Sequence, residues 1–235
     1  MTTLQNKIVV VVGGSSGIGF GVALAALQSF ASVVIIASSN ADRVAGAVAR
    51  LQAHKLPGEV RGEVLDAKDA AAVKKFALSL GAIDHVAWTS GDVQKLDSTD
   101  AFSVRFWGPL ILAQNATFRP GGSLTFTSGI LDVKPRAGRV VSAGVCSALE
   151  GLAKGLAVDL APIRVNVIGP GAIETEIWDK VPIAVQDQFR KELEKNQLIK
   201  RIGEPQEIAE AYLFLMKCGY ITGERINVDG GVALA

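Results

Sequence analysis

The stretch Lys7–Gly21, KIVVVVGGSSGIGFG, decides the fold. The aliphatic run Ile8 to Val12 is far too short to span a bilayer, and a β-branched run that is apolar at every position suits a strand covered on both faces. It leads through glycines into GFGVALAALQSF, residues 19–30, which has a helical pattern. Gly13, Gly17 and Gly19 permit a tight turn, close backbone approach to a phosphate group and close packing of the helix on the sheet. The helix then opens with free N–H groups and the positive end of its dipole, which suits an anion. Ser15, Ser16 and Ile18 complete this candidate phosphate loop.

The same alternation continues outward. Further strand-like runs are SVVIIAS (32–38), EVRGEVLD (59–66), IDHVAWTS (83–90), GSLTFTS (122–128), IRVNVIG (163–169) and ERINVDGG (224–231). Between them lie the helical patterns ADRVAGAVARLQAH (41–54), AKDAAAVKKFALSL (67–80), STDAFSVRFWGPLILAQNATF (98–118), VVSAGVCSALEGLAKGLAVDLA (140–161), VQDQFRKELEKNQL (185–198) and EPQEIAEAYLFLM (204–216). Strict alternation of this kind predicts an α/β fold: a doubly wound parallel sheet of about seven strands with helices on both faces. No linker, repeat or composition break interrupts it, so residues 1–235 are expected to form a single domain. The irregular pieces 129–139 and 171–185 follow strands, where such folds place their chemistry.

Composition narrows the partners. The chain has 235 residues, 49% of them hydrophobic, and its 24 basic and 23 acidic side chains leave a net charge of +1. With no long run of one sign, neither nucleic acid nor an anionic membrane is expected as a partner. Cys146 and Cys218 lack metal-ligand spacing, and the N-terminus lacks the pattern of a secretory signal. A soluble chain in a reduced, cytoplasmic setting with a small-molecule substrate is the expectation.

The loop spacing Gly-x-x-x-Gly-x-Gly resembles that of the short-chain dehydrogenase/reductase superfamily. So do LDAKD (65–69), TSG (89–91), TSG (127–129), GPGAIETE (169–176), RIGEPQEIAEAYLFLM (201–216) and ITGERINVDGG (221–231), which together cover nearly the whole chain. The resemblance implies a Rossmann-type fold with a nicotinamide cofactor. Asp66 and Ala67 would meet the adenine, and Thr89, Ser90 and Gly91 would line the cofactor behind the fourth strand. Pro170, Gly171, Ile173 and Thr175 would hold the nicotinamide amide and the pyrophosphate. Where an acid after the second strand would bind ribose hydroxyls, this chain has Ser38, Ser39 and Asn40, followed by Arg43. Neutral donors and a cation suit a 2′-phosphate, so NADP(H) is expected in preference to NAD(H). The same residues can also begin a helix as its cap, with Arg43 in solvent.

At the chemical end, the resemblance implies a Tyr whose pKa is lowered by a Lys one helical turn on, a Ser on the fifth strand and an Asn on the preceding helix. Alignment back from the Pro-Gly turn puts Ser142 at the Tyr position, Cys146 at the Lys position and Arg105 at the Asn position. Only the Ser survives, as Ser128. No Tyr occurs between Ser90 and Ala211, so sliding the register recovers nothing. A serine hydroxyl is a far weaker acid than a phenol, and a neutral thiol cannot replace an ammonium. The candidate catalytic residues are therefore Ser128, Arg105, Asp132 and Ser142, with Asp132 as the nearest carboxyl group and Lys134, Arg136 and Arg139 on the same loop.

The remaining residues of interest have blander readings. His85, Cys146, Tyr212 and Tyr220 are expected to pack, and His54 to end a surface helix. Trp88, Trp107 and Trp178 could build an apolar substrate pocket. Three functions stay open: a reductase of an iminium, activated alkene or carbonyl compound; a non-redox cyclase on the same scaffold; and a cofactor-binding protein without turnover. The apolar helices around Arg105 and Ser142 lead us to expect a homodimer or homotetramer.

Overall fold

Strand β1 (Ile8–Val12) lies between β2 and β4 inside one seven-stranded parallel sheet in the order β3-β2-β1-β4-β5-β6-β7. The other strands are β2 (Val33–Ser38), β3 (Glu59–Val64), β4 (Ala82–Trp88), β5 (Thr117–Thr127), β6 (Arg164–Pro170) and β7 (Arg225–Val228). The helices are α1 (Gly17–Gln28), α2 (Ala41–Ala53), α3 (Ala70–Ser79), α4 (Gly108–Asn115), α5 (Val140–Asp159), α6 (Ile183–Asn196) and α7 (Pro205–Lys217). These elements come from a computed structural model that describes residues 3–91, 101–176, 178–180 and 182–235.

The period of two sorts β1 between two cores. Val9 and Val11 pack with α1, α2 and α7, while Val10 and Val12 pack with α3, α4 and α5. Each such buried aliphatic side chain contributes about 1.5–3 kcal/mol. Helix starts follow local chemistry: Asn40 Oδ1 accepts the Arg43 N–H at α2, Asp69 accepts the Ala71 and Ala72 N–H groups at α3, and Glu204 and Glu207 form a capping box at α7.

The sheet's lower half is held by buried polar groups. Asp84 accepts the Ile8 N–H and pairs with Lys7 at 3.0 Å and Arg119 at 3.2 Å. Burial raises the Asp84 pKa, but these partners outweigh it and hold the carboxyl below its usual range. His85 is 2% exposed with Nδ1 2.9 Å from Ser123 Oγ, and burial pushes its pKa down to about 4. It is the core histidine expected.

Three expectations are corrected. First, β3 is not covered on both faces as the strand-like runs were expected to be: Glu59, Arg61 and Glu63 alternate along it, and among the described residues it stands at the edge of the sheet. Second, residues 98–118 are not one helix. Among the described residues of that stretch, Ser103–Trp107 form a π-helical segment, α4 follows, and Thr117 already belongs to β5. Pro109 has no N–H to offer the Arg105 carbonyl, and the Gly108 N–H reaches back five residues to Ser103. Third, Tyr220 does not pack; it is 99% exposed, whereas Tyr212 is buried.

Candidate active site

The C-terminal ends of the strands open into one cavity of about 750 Å³. At its phosphate end the glycines are explained by contact. A Cβ on Gly13, where φ is +90°, would lie 2.6 Å from Ser90 N. A Cβ on Gly19 would overlap the Gly13 carbonyl and Thr89 Oγ1. The turn after β1 is thus pressed against the end of β4, where both the backbone N–H and the hydroxyl of Thr89 donate to the Val12 carbonyl, at 2.8 and 2.9 Å.

The Ser15 hydroxyl meets Ser38 Oγ at 3.0 Å, tying the loop to the end of β2. Two residues not foreseen complete this end. Arg50, from the last turn of α2, donates to the Ser15 carbonyl at 2.9 Å while lying 4.2 Å over the Phe20 ring. Glu176 accepts the Gly17 N–H at 2.8 Å, so a carboxylate from the loop after β6 sits on the positive end of α1. An acid next to Thr175 was the only hint in the sequence.

Gly13, Ser15, Ser16, Gly17, Ile18, Gly19, Ser38, Ser39, Arg43, Asp66, Ala67, Thr89, Ser90, Gly91, Pro170, Gly171, Ile173 and Thr175 all line this cavity. Asn40 does not. Its Oδ1 caps α2, the helix-start reading that the sequence also offered, and the expected role as a ligand donor is corrected because the residue stands outside the lining.

At the chemical end, Ser142, Val145 and Cys146 project from one face of α5, and the Ser128 hydroxyl donates to the Cys146 carbonyl at 3.5 Å. Arg105 enters from the π-helical segment. Its Nη1 donates to the Thr127 carbonyl at 3.3 Å, and its guanidinium fills the space that a Cβ on Gly91 would take. Beneath it Thr127 Oγ1 donates to the Trp88 carbonyl and makes a short hydrogen bond with the Tyr212 hydroxyl. Burial pushes the Tyr212 phenol well above its usual range, so it stays protonated.

Asp132 requires a correction. Its side chain is 7% exposed and turned away from the cavity lining to pair with Arg225, which also pairs with Glu150 and donates to the Gly129 carbonyl. A buried carboxylate needs a cation, and Arg225 arrives from β7 through the space that the absent Cβ of Gly169 leaves open. Asp132 is held low by hydrogen bonds with Glu150 and Arg225 despite its burial, while burial and the Asp132 charge push Glu150 up. Neither Arg225 nor Glu150 was foreseen.

Of the tryptophans, only Trp178 lines the large cavity. Trp88 is buried with its indole N–H on the Val104 carbonyl, and half-exposed Trp107 lines a separate pocket beside Lys68. Trp178 is fixed by its N–H to the Ile173 carbonyl at 2.8 Å and by Phe189, 5.0 Å between ring centroids.

A family model described as an SDR-like Rossmann domain matches residues 1–235. The chain belongs to the short-chain dehydrogenase/reductase family. The short-chain dehydrogenase/reductase ucsE of an Acremonium species is 40% identical, with 99% of this chain and 97% of that protein covered. The MalC reductase/Diels-Alderase of Malbranchea aurantiaca superposes with a TM-score of 0.91 at 30% identity, covering 99% of this chain and 98% of that one. A small-chain dehydrogenase in complex with NADPH superposes with a TM-score of 0.79 at 31% identity, covering 98% and 100%. The residues here fit the group that family member holds: a glycine cradle with no room for a Cβ, a helix N-terminus, and two serines at and just after the end of β2 with an arginine in the first turn of α2.

Proposed function

We propose that this chain is an NADP(H)-dependent reductase of a small molecule, an iminium, activated alkene or carbonyl compound, acting through an atypical site and as one domain over its whole length. The observation that carries this reading is the pairing of Ser142 and Cys146 on the cavity face of α5 with Arg105 lying on Gly91. The cofactor would supply hydride. Ser38, Ser39 and Arg43 would receive its 2′-phosphate, and Thr89, Ser90, Gly91, Pro170, Gly171, Ile173 and Thr175 its nicotinamide half. Ser128 and Ser142 would orient the acceptor by hydrogen bonds, and the Arg105 guanidinium would hold an acceptor oxygen as negative charge develops on it. No strong acid is required: reduction of an iminium carbon needs no proton, and the enolate left by an activated alkene or the alkoxide left by a carbonyl compound can take its proton from water.

NADPH oxidation over a panel of imines, enones and ketones tests the activity. Arg105→Ala is expected to abolish turnover while NADPH affinity stays within a few-fold, and no turnover on any acceptor would leave the cofactor-binding reading. NADPH is expected to bind about tenfold tighter than NADH, a preference that Arg43→Ala should shrink; equal affinities by calorimetry would remove the assignment.

A second reading, a cyclase using the same cavity, is favoured by the structural relative whose name includes Diels-Alderase. Product analysis with cofactor present but not consumed would separate it from reduction. The α5 helix has the length and apolarity of a membrane span, yet its inner side chains pack on the sheet. Its outer strip carries Val140 and Val158, 68% and 77% exposed, and no described residue lies within 4 Å of a Cβ built on Gly144, Gly151 or Gly155. A second copy of the chain, as a homodimer or homotetramer, suits that strip better than a bilayer, and the two free cysteines suit a reduced, cytoplasmic setting. Light scattering on the purified protein checks the assembly.

A further inference from the structure

The charged residues lining the cavity are unevenly divided. Its two acids, Asp66 and Glu176, stand at the cofactor end, one after β3 and the other on the Gly17 N–H, and share that end with Arg43 and Lys68. The opposite end has Arg136 and Arg139 on the loop before α5, and Arg105 deeper in. Among the described residues neither Arg136 nor Arg139 enters an ion pair. Asp132, the carboxylate nearest to them in sequence, is committed to Arg225.

These cations face an apolar wall. Trp178 and Phe189 pack with ring centroids 5.0 Å apart and planes at 41°, and Ile130, Leu131 and Val185 extend the surface. The Arg136 guanidinium lies 5.9 Å from the Phe189 ring centroid, so one cation is already docked on this wall. A ligand that is only apolar would strip water from the guanidinium groups without pairing them, and a cationic ligand would be repelled. An anionic oxygen on a flat apolar body satisfies both surfaces together.

We propose that the ligand taken at this end is an organic anion: a carboxylate or enolate oxygen held by Arg136 and Arg139, on an aromatic or polycyclic body that lies against Trp178 and Phe189. The proposal rests on the reading that NADP(H) takes the cofactor end. It deepens that reading by naming the charge of the substrate, and it admits an iminium only where the same molecule carries a compensating negative oxygen.

The test uses three probes of one skeleton, 2-naphthoate, its neutral methyl ester and 2-naphthylmethylammonium, titrated calorimetrically into protein saturated with NADP⁺ and into protein without it. Naphthoate is expected to bind about tenfold tighter than the ester, the ammonium weakest of all, with the naphthoate advantage shrinking as salt is raised. The double variant Arg136→Gln/Arg139→Gln should bring naphthoate to the level of the ester while its NADP⁺ affinity, which also reports folding, stays within about twofold. Equal binding of naphthoate and ester, or naphthoate affinity unchanged in the double variant, overturns the proposal. Failure of NADP⁺ to bind would instead overturn the cofactor reading, and the ranking of probes in the cofactor-free protein would still decide the charge of the ligand.

Discussion

At the phosphate end a Cβ on Gly19 would strike the Gly13 carbonyl, which cannot move without the strand behind it. At the chemical end the first atoms a Cβ on Gly91 would strike among the described residues belong to the guanidinium of Arg105, the far end of a flexible side chain. The contrast runs through the whole cavity. The cofactor end is shaped by backbone pressed on backbone, with Thr89 and Val12 locking β4 to β1. The other end is shaped by side chains that cross between elements: Arg105 onto Thr127, Arg225 onto Asp132 and Glu150, and Arg136 over Phe189. A backbone-built end accepts few replacements. A side-chain-built end, here lined by Ser142, Cys146 and Arg105, can change its residues within the same fold.

The comparison can be broken most forcefully at Arg225, which is 12% exposed and faces two carboxylates. Arg225→Met should cost about 3 kcal/mol in urea unfolding, because it leaves Asp132 and Glu150 without their cation. It should also loosen the loop carrying Ser128, raising the KM for the acceptor more than that for NADPH. Equal changes in both would show that the two ends are not separable.

Strand β4, which carries both ends, should respond to acid through His85. The folded pKa near 4 lies below the unfolded value of 6.5, so the unfolded chain takes up the proton first. Stability is then full above pH 6.5 and declines as the pH falls toward 4, by about 3 kcal/mol. Urea midpoints across that range should show the slope, and His85→Gln should flatten it.

The two glycines give the sharpest version of the contrast. Gly19→Ala should cost about 2 kcal/mol and most of the NADPH affinity, since the backbone itself must shift. Gly91→Ala should cost less than about 1 kcal/mol and leave NADPH binding within a few-fold, yet suppress turnover as Arg105→Ala does, by displacing the guanidinium. Parallel losses in both variants would erase the distinction.

The smallest effect is expected at Glu176, whose carboxylate occupies the Gly17 N–H that a cofactor phosphate would use. Glu176→Gln should tighten NADPH about two- to fivefold, the size of one charge at a helix terminus. Weaker binding would mean that Glu176 supports the cofactor instead of competing with it.

The phosphate end was nearly all legible because its signals are local: glycine spacing, a strand before them and a helix after them lie within residues 8–28. Asn40 shows the limit of that legibility, since a cap and a ligand donor look alike in sequence and only its place outside the cavity lining separates them. Asp132 shows the opposite failing. Nearness to Ser128 made it a candidate acid, but its cation comes from 93 residues away on β7, and no spacing rule reaches that far. Phe189 and Val185 were read only as part of a helical pattern, yet they form the cavity wall because the segment after β6 folds back over it.

By itself the sequence determined the layered fold, the place of the glycine loop after β1 and the absence of any Tyr between Ser90 and Ala211, because hydrophobic period, glycine and residue identity act over a few neighbours. Only the tertiary structure decided which charges face the cavity. Arg105, Arg136 and Arg139 line it, Asp132 is withdrawn to Arg225, and Glu176 is set on the helix end. That choice depends on distances between side chains far apart in the chain, where burying one carboxylate or guanidinium without its partner costs more than any local preference can offset.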